Sequence, residues 1–116
     1  MLARFTQIDY DREMAFVLID PHAEKAILGI MSIFADPEGA RAEYAGAVRS
    51  DLKGQGLGRL LLEEIVEFCQ RRGIREIWGE VLRENAPMLD LARKLGFSIK
   101  IDPDDPSVMI VTRPLQ

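Results

Sequence analysis

The chain has one cysteine, Cys69, so no internal disulfide can form. It has one histidine, His22, and a zinc site needs more histidine and cysteine ligands than these two residues supply. No metal is therefore expected. Cys69 follows Phe68 in a helix-like pattern and reads as a small core residue rather than a nucleophile. His22 follows Pro21 in a turn-like stretch and reads as a loop residue. A single free thiol and the lack of a signal-peptide pattern point to a reducing compartment such as the cytoplasm. No apolar run approaches the ~18 residues of a membrane-spanning helix, so no membrane segment is expected. An excess of basic residues is missing as well, with 15 Lys and Arg against 19 Asp and Glu for a net charge of −4. Nucleic-acid-binding domains are ordinarily basic, so nucleic acid is not an expected partner.

What is present suffices for one core. A chain of 116 residues that is 47% apolar suits one compact domain and not two. Residues 1–12 carry little apolar periodicity and read as a lead-in segment, with the domain proper over 13–116. Residues 13–19, 26–34 and 41–49 read as strands separated by the turn chemistry of Asp20-Pro21 and Asp36-Pro37-Glu38-Gly39. From Leu57 the period changes. Leu57, Leu60, Leu61, Ile65 and Phe68 recur at helical spacing, and Gly73 ends that helix. Residues 74–82 read as a strand containing a half-buried Trp78. Asn85 caps a second helix with Pro87 in its first turn, and Gly96 stops it. Residues 97–101 and 108–112 read as the last strands. Hairpin-linked strands followed by a strand–helix–strand unit imply an α/β (α+β) fold, a mixed sheet with helices packed on it.

Between the third strand and the first helix stands Lys53-Gly54-Gln55-Gly56-Leu57-Gly58-Arg59. Three glycines at alternate positions keep side chains away, so successive backbone N–H groups can face one point. The helix N-terminus adds about half a positive elementary charge. Together these suit a pyrophosphate. A P-loop is excluded, because no Lys-Ser or Lys-Thr follows the glycines. A G-x-G-x-x-G dinucleotide fingerprint is excluded too, since its third glycine would fall on Arg59 or Leu61. The strand before this turn carries Ala42, Ala45, Gly46 and Ala47. Small residues leave room for something to lie against it, and a strand glycine often marks a close approach.

Lys53 to Gly58 resembles the [QR]-x-x-G-x-[GA] motif of the GNAT N-acetyltransferases. Asn85 to Phe97 resembles that family's second block, an Asn-initiated helix ending in Leu95-Gly96-Phe97. The resemblance covers about Glu13 to the C-terminus. It implies the GNAT fold, a twisted and mostly antiparallel sheet that splays open near Val48 to take the pantetheine arm of acetyl-CoA, here with its N-terminal part truncated. It implies that Gly46 and Val48 offer backbone groups to the pantetheine and thioester. Gly54, Gln55, Gly56, Leu57, Gly58 and Arg59 would hold the pyrophosphate, and Asn85 would contact the pantetheine arm. Two positions depart from the pattern. Lys53 replaces the usual Gln or Arg. Ala92 stands where many members place a tyrosine that protonates the leaving thiolate.

Phe5 to Glu13, Arg41 to Ala45 and Val48 to Gly54 are also similar to the C-terminal GNAT domain of bacterial protein lysine acetyltransferases. That family's domain follows a larger region and acetylates a lysine of AMP-forming acyl-CoA synthetases. The resemblance implies a protein lysine acceptor and a larger parent chain, while the missing N-terminal strand and helices of the GNAT fold would leave an apolar face for a homodimer as the other expectation. Glu43 matches the family's catalytic glutamate and is the expected general base, with Glu80 in reserve. An exposed strand carboxylate paired with Arg41 or another base is the plain alternative for Glu43. A small-amine acetyltransferase and a non-catalytic acetyl-CoA sensor are the alternatives for the whole domain.

Overall fold

The computed structural model describes residues 4–9, 13–20, 22, 26–48 and 56–115. Its elements in chain order are β1 (Arg4–Asp9), β2 (Glu13–Asp20), β3 (Ala26–Ala35), β4 (Arg41–Val48), α1 (Leu57–Arg71), β5 (Glu76–Leu82), α2 (Ala86–Lys94), β6 (Ser98–Ile101) and β7 (Val108–Pro114). They build a seven-stranded sheet in the order β1-β2-β3-β4-β5-β7-β6. The strands pair antiparallel except β4 with β5, which run parallel across the α1 connection. The mixed sheet expected from the sequence is therefore present. The strand over 4–9 is an addition to that reading. Its own side-chain pattern is weak, but it pairs with β2 from Arg4↔Ile19 to Asp9↔Met14, and ladder hydrogen bonds do not require apolar alternation.

Both helices lie on one face of the sheet and share a single core with it. Helix α1 buries Leu57, Leu61, Leu62, Ile65, Val66, Phe68 and Cys69. Leu60, read from its spacing as part of this stripe, is 46% exposed. At about 100° per residue it falls outside the arc that the other seven define. Phe68 meets Phe16 of β2 edge to face, with ring centroids 5.1 Å apart. Cys69 is fully buried, and burial pushes its thiol up to about 12. It is an inert core residue, as its position beside Phe68 suggests. His22 is exposed, and its backbone N–H donates to the Asp20 carboxylate at 2.8 Å.

Tyr44 of β4 lies in the same core. Its ring crosses Gly79 of β5, where a Cβ would fall 2.6 Å from Tyr44 Cε1, and meets Phe97 at 5.9 Å. Its buried hydroxyl has no hydrogen-bond partner among the described residues. A buried hydroxyl without a partner costs about 1–3 kcal/mol. Tyr44→Phe keeps the ring and removes that cost, so a thermal melt is expected to show unchanged or higher stability, by about 1 kcal/mol. Desolvation raises the Tyr44 phenol from 10.0 to about 12. The folded state thus keeps a proton that the unfolded chain releases, and this contribution to stability is complete below pH 10.0 and lost toward about 12. In the phenylalanine variant this alkaline loss should shrink. A variant less stable than wild type at neutral pH would mean that the hydroxyl has a partner after all.

Candidate functional site

Parallel strands β4 and β5 pair only from Arg41↔Glu76 to Tyr44↔Gly79. Beyond that rung β4 continues on β3, from Ser32↔Ala45 to Gly29↔Val48. β5 continues on β7, from Glu80↔Ile110 to Leu82↔Val108. The two strands therefore part at their C-terminal ends and leave two strand edges facing an opening. This is the splay that the sequence resemblance implies near Val48. Gly46 and Val48 lie on its β4 side, with Met31 and Gly29 as their β3 partners.

Both helices begin at this end of the sheet, because each follows one of the two parting strands. Gly54 and Gln55 lie outside the described residues. Gly56 is the N-cap of α1 at φ 78, a left-handed conformation that glycine adopts without steric cost. Among the described residues no side chain caps α1, and its first turn holds no acidic residue. The amide N–H groups of Leu57, Gly58 and Arg59 thus open the helix without intrahelical acceptors. Leu57's side chain is buried in the core, which leaves its backbone for a ligand. Arg59 is exposed, 3.4 Å from Glu63 one turn on. An uncapped N-terminus of this kind favours an anion.

Asn85 caps α2. Its side-chain oxygen accepts from the Met88 N–H at 3.3 Å. Asn85→Ala is expected to cost about 1 kcal/mol, a drop of about 5 °C in the melting midpoint. An unchanged midpoint would remove the cap from the account. Ala92 is fully buried on the core side of α2.

Glu43 is half-buried on β4. Its neighbours Ala42 and Tyr44 belong to the core, so Glu43 points to the face opposite the helices. Across the strands it sits between Phe34 of β3 and Trp78 of β5. Arg41, its alternative partner from sequence, is engaged elsewhere. The guanidinium pairs with Glu76 and stands 5.6 Å from the centroid of the Trp78 ring. Glu80 is exposed on the same face, two residues beyond Trp78. Phe34 and Trp78 were not among the site residues read from sequence. Strand alternation gives their face, but only the register places them beside Glu43.

A groove of about 400 Å³ between α1 and the end of α2, lined by Glu63, Val66, Glu67, Gln70, Leu95 and Arg113, contains none of the residues read as a site. Among the described residues no group of His, Cys, Asp and Glu is placed to hold a metal ion. No described helix is long and apolar enough to cross a membrane.

Comparison with known proteins agrees with this geometry. The model of the Acetyltransferase (GNAT) family matches residues 2–97. An acetyltransferase of Pseudomonas aeruginosa is 32% identical over 111 residues, which are 95% of this chain and 60% of that protein. The ribosomal protein bS18-alanine N-acetyltransferase of Escherichia coli is 42% identical over 52 residues, 45% of this chain and 35% of that one. A solved structure of the ribosomal-protein-S18-alanine N-acetyltransferase from Escherichia coli superposes with a TM-score of 0.78 at 26% identity, covering 93% of this chain and 72% of that chain. The streptothricin acetyltransferase of Streptomyces lavendulae is 37% identical over 46 residues, 40% of this chain and 24% of that protein. The matched segments span 60% or less of the length of the three relatives aligned by sequence.

Proposed function

The chain belongs to the acetyltransferase (GNAT) family, and from that premise we propose that it transfers the acetyl group of acetyl-CoA to a protein lysine side chain, with Glu43 as general base. The observation that carries this reading is the parting of β4 and β5 after Tyr44↔Gly79, beside a half-buried carboxylate and a helix N-terminus that no described side chain caps. In the proposed complex the turn from Gly54 to Arg59 holds the pyrophosphate through backbone N–H groups. The open β4 edge at Gly46 and Val48 hydrogen-bonds the pantetheine arm, with Asn85 at its other side.

A lysine amine has a pKa near 10.4, so at neutral pH only about one in a thousand is uncharged. Glu43 takes the proton, directly or through one water. The amine nitrogen then attacks the thioester carbonyl carbon. The C–N bond forms, and the Val48 N–H stabilises the oxyanion. The C–S bond breaks as the tetrahedral intermediate collapses. With Ala92 in place of a tyrosine, the thiolate leaves unprotonated or takes a proton from water, which a thiol of pKa about 8.5 tolerates.

A protein acceptor is supported by the similarity of three segments to bacterial protein lysine acetyltransferases. It is also supported by a relative whose name records a protein alanine as its acceptor. A lone cysteine suits the cytoplasm, where such an acceptor would be met. The relative named for streptothricin favours a small amine as the second reading.

The test is to incubate the chain with acetyl-CoA and an AMP-forming acetyl-CoA synthetase and to weigh the synthetase peptides by mass spectrometry. A mass gain on one lysine is expected. No gain, with acetyl-CoA binding intact by calorimetry, would remove the protein acceptor.

A further inference from the structure

We infer that Phe34 and Trp78 select the acceptor, favouring a primary amine at the end of an unbranched aliphatic stem over a compact amine. The inference rests on the reading of Glu43 as the base at this opening. One row of the sheet, read across four strands, runs Glu13, Phe34, Glu43, Trp78. Residues directly opposite in adjacent strands point to the same side, with Cβ atoms about 4.5–5.5 Å apart. The carboxylate therefore stands between two aromatic side chains.

All four lie on the face away from the helices, which no helix covers among the described residues. Phe34 is 41% exposed there, and Ile30 on the same strand is 40% exposed. Arg41 takes one face of the Trp78 ring while its charge is met by Glu76. Glu13, Glu43 and Glu80 lie on this face against Lys100, which Ile110 separates from Glu80, so among the described residues carboxylates outnumber cations around an apolar floor. That combination suits an ammonium head on a hydrocarbon stem. The stem covers the rings, and the head reaches the carboxylate or the ring faces. A compact polar amine would set its hydroxyls against the same rings and leave them unpaired.

Trp78 is the only tryptophan in the chain, so its emission reports this face directly. The experiment titrates n-hexylamine and ethylamine into the protein with CoA present, and follows indole fluorescence. Hexylamine is expected to saturate at a concentration about tenfold lower or more, a fraction of the roughly fourfold per methylene that full burial would give. Phe34→Ala should weaken hexylamine about fivefold or more, and Phe34→Leu should keep most of the affinity. Equal midpoints for the two amines, or a Phe34→Ala variant that binds hexylamine like wild type, would overturn the inference. A separate arm adds acetyl-CoA and measures acetylated amine. Hexylamine that titrates as expected but is never acetylated would sink the acetyl-transfer reading and leave the aromatic seat standing. Acetylation of both amines with the same kcat/KM would do the reverse.

Discussion

Glu43→Gln is expected to slow acetyl transfer by about 100-fold or more while acetyl-CoA binds as before. The substitution keeps the side chain's size and removes only its capacity to take a proton. That capacity matters because the acceptor amine is almost wholly protonated at neutral pH. The fold leaves Glu43 suited to supply it. The residue is half-buried on the uncovered face, at the rung just before the β4–β5 ladder ends. Arg41, the cation two residues away, pairs with Glu76 instead. The proposed contacts to acetyl-CoA come from backbone groups of β4 and the α1 turn, so calorimetry should give an affinity within about twofold of wild type. Release of CoA in the presence of the synthetase gives the rate. Near-normal turnover would take the role from Glu43, and a large loss in a parallel Glu80→Gln variant would give it to Glu80.

Gly46→Ala is expected to destabilise the domain by about 2–3 kcal/mol, a fall of about 10–15 °C in the melting midpoint. A Cβ at Gly46 would lie 2.4 Å from the Ile30 carbonyl oxygen, 2.8 Å from Met31 Sδ and 2.9 Å from Met31 Cα. Two of these atoms are backbone of a central strand, and Met31 is 1% exposed. Relief therefore requires β3 and β4 to move apart. Displacing β4 also shifts the edge proposed to receive the pantetheine arm, so acetyl-CoA affinity should fall about tenfold, some 1.4 kcal/mol. The two readouts separate the causes. Lost stability with intact binding would mean that this edge is not the cosubstrate's. A variant unchanged in both would contradict the β3–β4 register.

Much of this architecture is local and can be read along the chain. The glycine turn, the α1 stripe, the Asn85 cap and the helix-ending Gly73 and Gly96 depend on residues within a turn or two of each other. Their chemistry is therefore written in their spacing. The small residues of β4 also announced a close approach at Gly46, although the neighbour there is the backbone of β3. The splay itself came from family resemblance, since nothing in the composition of β4 or β5 says where their pairing stops.

Other features depended on contacts between distant segments. Arg4–Asp9 became a strand because β2 offered it a ladder. Arg41 found Glu76, 35 residues away, rather than Glu43 two residues along its own strand. Phe34 and Trp78 came to flank that carboxylate through the pairing of three strands, and Tyr44 buried a hydroxyl without a partner among the described residues because Gly79 left room for its ring. Strand alternation assigns a residue to a face, but the rung it occupies is fixed by long-range hydrogen bonding and by how the whole core packs. The chain's order of residues thus specified the glycine turn proposed to hold the pyrophosphate and every element but β1. The surroundings of the proposed base were settled by register, which arises only once the sheet is assembled.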